Sequence, residues 1–158
     1  MTKLQVISTP MSSGFKTENI TWHHLGGAPN FDYSIDYWIA VLGGNAREGR
    51  CEFLVKWEPD AYCHFHRHIG ATTTLVLEGE HHVVETSATE TVHKVRKAGH
   101  FARNNGGDLH MEYGGAAGAV VLFSMQSDDG RLFDVIDKDS NIVATTTVED
   151  LLMGRFVS

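Results

Sequence analysis

The sequence predicts an all-β fold, a sandwich or small barrel, on three observations: short β-rich segments recur along the chain, turn residues separate them at intervals of roughly 8–12 residues, and helical signals are scarce. The chain has 158 residues, 42% hydrophobic and 21% charged, so it can bury a core and reads as one domain, residues 1–158. No segment repeats at a period of about 20–50 residues, and no low-complexity tract interrupts the pattern.

Residues 36–42 form the first predicted strand. In residues 51–57, Cys51, Phe53, Val55 and Trp57 alternate with Glu52 and Lys56, the period of two that marks a half-buried strand, and Pro59 ends it. Residues 72–77 are β-branched and apolar, turn at Glu78-Gly79 and resume in 81–85, which predicts a hairpin. Residues 91–95 alternate again, and further strands are expected over 109–113, 119–126 and 132–136, the last two joined by a hairpin turn at Asp129-Gly130. Thr146 and Glu149 have capping-box spacing ahead of Leu151, Leu152 and Phe156, which predicts one short C-terminal helix. Trp22-His23-His24 belongs to an N-terminal segment that either packs beneath the barrel or exchanges between subunits.

Charge and composition exclude several functions. A formal charge of −7 and a pI near 5.7 disfavour nucleic acid and anionic membrane surfaces as partners. The longest apolar stretches, 37–42 and 116–123, are far shorter than the ~18 residues of a membrane span, and residues 1–5 carry no apolar segment ahead of a cleavage site. Cys51 and Cys63 are too few for a disulfide framework or a four-cysteine zinc site, so a cytoplasmic location is expected, with Cys63 buried, unreactive and facing away from the histidines beside it.

The chemistry lies in the histidines. Of 10, eight (64, 66, 68, 81, 82, 93, 100 and 110) fall in one 47-residue window. If residues 62–68 are a strand, His64, His66 and His68 share one face, close enough for imidazole arms to converge on an ion bound at about 2.0–2.2 Å. Alternation alone does not choose which two of the three bind. His110, delivered by the glycine turn Gly106-Gly107, is the candidate ligand from a neighbouring strand.

This combination resembles the cupin family. His66-Arg67-His68, ten residues and then Gly79 keeps the His-to-Gly spacing of the first cupin motif, and Val76-Leu77-Glu78-Gly79 is similar to its close. Gly99 and Gly107-Asp108-Leu109-His110 match the second motif, with Asn105 where proline is usual. The resemblance covers a motif-bearing core of about residues 51–125. It implies a double-stranded β-helix, the jelly-roll barrel, with His66, His68 and His110 as metal ligands near its mouth and His64 beside them in the pocket. The ligand glutamate of the first motif falls here on Thr72 or Thr73, and no carboxylate occurs between His68 and Glu78. That departure is similar to the three-histidine cupins, the acetylacetone-cleaving dioxygenases and the ChrR-like cupins, and residues 120–143 are similar to the tail of the diketone-cleaving enzymes.

The resemblance implies a divalent transition metal, Fe(II) ahead of Zn or Ni, and oxygen-dependent C–C cleavage of a small enolisable ketone, such as a β-diketone or hydroxy-ketone. Three neutral imidazoles leave the ion its full charge to stabilise a chelated enolate. Dioxygen and ketone are then the expected partners, in a homodimer or homotetramer. Glu112, two residues past His110, is open between orienting a ligand ring and facing solvent; Glu85 is a further candidate carboxylate. Thr72 is a pocket candidate, and Phe101, with Trp57, Phe65, Tyr113 and Phe123, is expected to line the barrel or its mouth. His81, His82, His93 and His100 read as surface or packing residues. Two other classes stay open: a metal-binding regulatory cupin of ChrR type, and a sugar-modifying isomerase that needs an acid/base pair in place of oxygen.

Overall fold

The computed structural model describes residues 20–27 and 31–156; the expectation for residues 1–5 lies outside the described residues. β1 (His23–Gly26), β2 (Asp36–Asn45) and β3 (Arg50–Trp57) form an antiparallel meander, so the segment around His23 and His24 pairs within its own chain at one edge of the sheet. β4 (His66–His68) is short, whereas β5 (Ala71–Thr86) is long and takes β6 (Thr91–Lys97) and β7 (Phe101–Asn104) as antiparallel partners. β8 (Leu109–Gln126) is followed by β9 (Arg131–Ile136), β10 (Ile142–Thr147) and α1 (Val148–Leu152). All the strands join one curled sheet with β8 at its centre, paired with β3, β4 and β5. The all-β prediction with one short C-terminal helix holds. Among the described residues no helix is long and apolar enough to cross a membrane.

β3 behaves as its alternation predicts. Cys51, Phe53, Val55 and Trp57 are buried, and Phe53 stacks on Phe123 of β8 with ring centroids 5.3 Å apart. Fully burying one such side chain contributes about 1.5–3 kcal/mol. Leu25 of β1, Ile39 of β2, and Val148 and Leu151 of α1 belong to the same core.

The predicted hairpin at Glu78-Gly79 is instead a bend within one continuous strand. β5 runs through it, with its pairing to β8 slipping between Val76 and Glu78 and again between Gly79 and His81. Gly79 has φ 71°, and a Cβ there would stand 2.1 Å from the Gly118 carbonyl oxygen; Gly118 itself has φ 70°. The two long strands therefore bend at one level, where only glycine permits both the backbone conformation and the close approach. For the same reason the segments 109–113 and 119–126 are halves of one strand, β8.

Two local readings are corrected. Asp129-Gly130 does turn the chain, with Gly130 at φ 78°, but β8 and β9 flank β4 and do not pair with each other. A turn signal reports reversal of the chain and is silent about which strand becomes the neighbour. The helix cap sits one residue later than predicted. Asp150 N–H donates to Thr147 Oγ1 (3.1 Å), and Thr147 N–H and Oγ1–H donate to Asp150 Oδ2 (3.0 and 2.8 Å).

Candidate metal centre

β4 is where the sheet delivers its histidines. His66 and His68 point inward and Arg67 outward, and His66 lies directly opposite His110 of β8. Cross-strand neighbours of this kind have Cβ atoms about 4.5–5.5 Å apart, so the two rings can reach one point. The strand begins only at His66, and with no strand over 62–65 the predicted alternation lapses there. Cys63 consequently shares the histidine side, its Sγ 3.9 Å from His66 Nδ1, where a longer strand would have turned it away. Both cysteines are buried and free.

The Nε2 atoms of His66, His68 and His110 form a small triangle: 3.0 Å between His66 and His68, 3.0 Å between His66 and His110, and 3.2 Å between His68 and His110. Three imidazole nitrogens cannot satisfy one another around a closed triangle, because each neutral ring has one proton to give. Ligands bound at about 2.1 Å in adjacent octahedral positions stand about 3.0 Å apart, and in tetrahedral positions about 3.4 Å. The triangle fits the octahedral spacing.

Two of the rings are held with their lone pairs inward. His66 Nδ1–H donates to the His64 carbonyl at 2.6 Å. Thr72 Oγ1–H donates to the Gly70 carbonyl at 3.2 Å, so the Thr72 oxygen is left to accept from His68 Nδ1–H at 2.8 Å. Fixing Nδ1 as the donor leaves Nε2 as the free ligand atom. Thr72 thus orients the ring of His68, a candidate ligand, from one of the two positions where the family pattern has a carboxylate. His110 Nδ1 has no partner among the described residues.

Glu112, which the sequence leaves open between orienting a ligand ring and facing solvent, is buried beside the triangle. Glu112 is 3% exposed, and its Oε2 lies 3.3 Å from His66 Nε2 and 3.6 Å from His110 Nε2. His66, His68, His110 and Glu112 offer donor atoms all within 4.8 Å of one another. Glu112 shares its strand face with His110 two residues away, so one strand presents both donors. Its other oxygen, Oε1, accepts from His81 Nε2 at 2.9 Å. His81, expected at the surface or in packing, is fully buried and stacks on Trp57 at 5.2 Å. Glu85, the other candidate carboxylate, lies outside this group of donors and pairs with Lys94 at 2.6 Å.

The electrostatics of His68 and His110 match this arrangement. Burial, reinforced by its histidine neighbours, holds His68 well below its ordinary pKa. Burial brings His110 down to about 3 although Glu112 opposes it. Both rings are therefore neutral and free to donate lone pairs. For His66, burial works downward but Cys63 and Glu112 outweigh it and raise the ring. Burial pushes the Cys63 thiol up and keeps it neutral, so Glu112 is the charge responsible. Burial would raise Glu112, yet His110, His66 and His81 hold it well below the usual carboxylate range.

A cavity of about 40 Å³ adjoins the centre, with His66, His68 and Glu112 at one side and apolar walls that include Ile39, Phe53, Trp57 and Phe133. By the measure of about 10–15 Å³ per water it has room for about three. His64 lines it too, with Nδ1 2.9 Å from Tyr37 Oη and burial lowering the ring to about 4. Trp57 and Phe123 are buried as expected, whereas Phe65 and Tyr113 are only partly so. Phe101 is a correction: it is 59% exposed on the outer face of β7, where the Arg103 guanidinium lies 5.9 Å from its ring, because the strand's alternation turns it away from the barrel. His93 and His100 are exposed, and His82 bonds to His93 and Glu80 on the same outer side.

The profile of the family described as the ChrR Cupin-like domain matches residues 13–127. Among solved structures, the chain is similar to an acetylacetone dioxygenase from Acinetobacter johnsonii, with TM-score 0.68 and 13% identity over 98% of this chain and 97% of that one. It is also similar to an RmlC-like cupin protein from Ralstonia eutropha, with TM-score 0.62 and 16% identity over 85% of this chain and 79% of that one. A cupin 2 conserved barrel domain protein from Rhodopseudomonas palustris gives TM-score 0.61 and 9% identity over 77% and 80% of the two chains. At these identities the likeness is one of fold, an all-β cupin barrel. No curated protein matches the chain.

Proposed function

Because the chain belongs to the ChrR Cupin-like domain family and gathers four buried donors beside an apolar cavity, we propose that it is a metal-dependent dioxygenase that cleaves a C–C bond of a small enolisable ketone. The observation that carries this reading is the convergence of the three Nε2 atoms at 3.0–3.2 Å. His66, His68 and His110 would hold Fe(II), with Glu112 beside them. When bound, that ion supplies Lewis acidity toward an enolate and a centre for the reduction of dioxygen. Thr72 and the His64 carbonyl keep two of the ligand rings in the tautomer that binds. The walls formed by Ile39, Phe53 and Phe133 exclude water and suit an apolar substrate body. Overall, both atoms of dioxygen would enter the two fragments of the broken bond. The fold shared with the acetylacetone dioxygenase from Acinetobacter johnsonii supports the reading.

Oxygen uptake tests it. Protein loaded with Fe(II) is expected to consume oxygen in the presence of a β-diketone or hydroxy-ketone and to stop when His110→Ala removes a donor. Absence of uptake across a panel of such ketones overturns it.

Glu112 favours a second reading, a metal-binding regulatory module of the ChrR kind. Four protein donors fill a tetrahedral zinc ion completely, and closed zinc sites are structural. Tight zinc retention with no oxygen uptake under any metal supports this alternative.

A further inference from the structure

Two cavity-lining residues outside the metal centre carry a buried hydrogen-bonding atom with no partner among the described residues, Trp57 at Nε1 and His64 at Nε2, and His64 is the one held by a second side chain. His64 is 3% exposed, lines the cavity, and leaves Nε2 without a partner. Its other nitrogen is committed to Tyr37 Oη at 2.9 Å. The ring is boxed by aromatic edges, with Phe31 at 5.3 Å and Tyr37 at 5.7 Å between centroids.

The pair's protons can be assigned by counting partners. A neutral phenol and a neutral imidazole bring one proton each to this contact. If His64 Nδ1–H donated to the phenol oxygen, the phenol proton would have no acceptor and Nε2 would be a bare lone pair, leaving two groups unmatched. If the Tyr37 hydroxyl donates to Nδ1, only the Nε2–H is unmatched. Buried polar groups go unpaired at a cost, so the second arrangement is favoured. His64 then presents a single N–H donor to whatever fills the cavity.

We propose that His64 is the residue that recognises substrate oxygen: its Nε2–H hydrogen bonds a carbonyl or enolate oxygen of the bound molecule, and Tyr37 holds it in the tautomer that can do so. The ligand class follows from the surroundings. A volume of about 40 Å³, room for about three waters, takes the oxygen-bearing end of a small molecule, and walls such as Ile39, Phe53 and Phe133 suit an apolar body. A donor fixed by Tyr37 asks for an oxygen acceptor. A short-chain ketone or its enolate meets both conditions. The inference rests on the ketone reading above and names the residue that would select for it.

The test separates recognition from reaction. Acetylacetone is titrated into the full chain loaded with redox-inert Zn(II), for the wild type, His64→Phe, His64→Gln and Tyr37→Phe. His64→Phe is expected to weaken binding by about tenfold. His64→Gln, which retains an N–H donor, should recover part of that, and Tyr37→Phe should fall between. Zinc affinity should stay unchanged, because His66 is held by the His64 backbone carbonyl, which the substitutions leave in place. In the ligand-free wild type, 15N spectra should report the His64 proton on Nε2. Equal acetylacetone binding by wild type and His64→Phe, no acetylacetone binding by the wild type, or a proton found on Nδ1 each overturns the proposal. His64-dependent binding without oxygen uptake by the Fe(II) form upholds it and refutes the dioxygenase reading. Oxygen uptake with binding indifferent to His64 does the reverse.

Discussion

Glu112 Oε1 accepts a hydrogen bond from His81 Nε2 at 2.9 Å while its Oε2 stands 3.3 Å from His66 Nε2. One oxygen is tied down and the other is aimed at the histidine triangle. Glu112→Gln keeps the shape and removes the charge, and it should lower zinc affinity by roughly 10–100-fold. His81→Phe keeps the stack on Trp57 but frees Oε1, with an expected loss of about tenfold. Competition against a chromophoric chelator measures both. Unchanged affinity in Glu112→Gln would make the carboxylate a bystander.

Metal should stabilise the fold as well as complete the centre. At a free ion concentration about 100 times the dissociation constant, binding to the native state alone adds about 2.7 kcal/mol. Zinc should therefore raise the Tm of the wild type, and a chelator should reverse the gain. His110→Ala, which opens the triangle, should show little or no zinc-dependent rise in the same thermal scans.

Thr72 offers a narrower test. Thr72→Val retains volume and removes the acceptor for His68 Nδ1–H, so the ring can turn its proton toward the centre. Zinc affinity should fall by about tenfold and return in Thr72→Ser, which restores the hydroxyl.

The C-terminal cap predicts a pH-dependent difference. Thr147→Ala should cost about 1 kcal/mol in chemical denaturation at neutral pH. Partial burial works to raise Asp150, but hydrogen bonds from Thr147 and Arg155 win and hold it below its ordinary 3.8. A carboxyl depressed in the folded state stabilises above its unfolded pKa, and that contribution fades as pH falls through the folded value. The wild type should therefore be more stable than Asp150→Asn at pH 6, and the gap should close below about pH 3.8 as the carboxyl protonates.

Much of the centre was legible because strand chemistry has a short period. Alternation and motif spacing together single out His66, His68 and His110, and the structure brings all three together. Glu112 obeys the same period from His110, but the period alone does not decide between orienting a ligand ring and facing solvent; its burial does. His81 was hidden for a different reason. Beside His82 its facing depends on whether Glu78-Gly79 is a turn or a bend, and only the pairing of β5 with β8 decides that. Cys63 and Phe101 show the complementary limit: the first lies where a strand has not yet begun, the second on a strand that no local signal marked. Neither local propensity nor spacing carries those facts.

His110 and Glu112 ride together, two residues apart on β8. A one-residue misalignment of that strand during folding would swing both donors out of the barrel at once. A chain so mispaired could not retain an ion and would forgo the stabilisation that comes with it. Occupancy of the centre would then proofread the longest strand of the fold, rewarding only chains in which it has docked correctly.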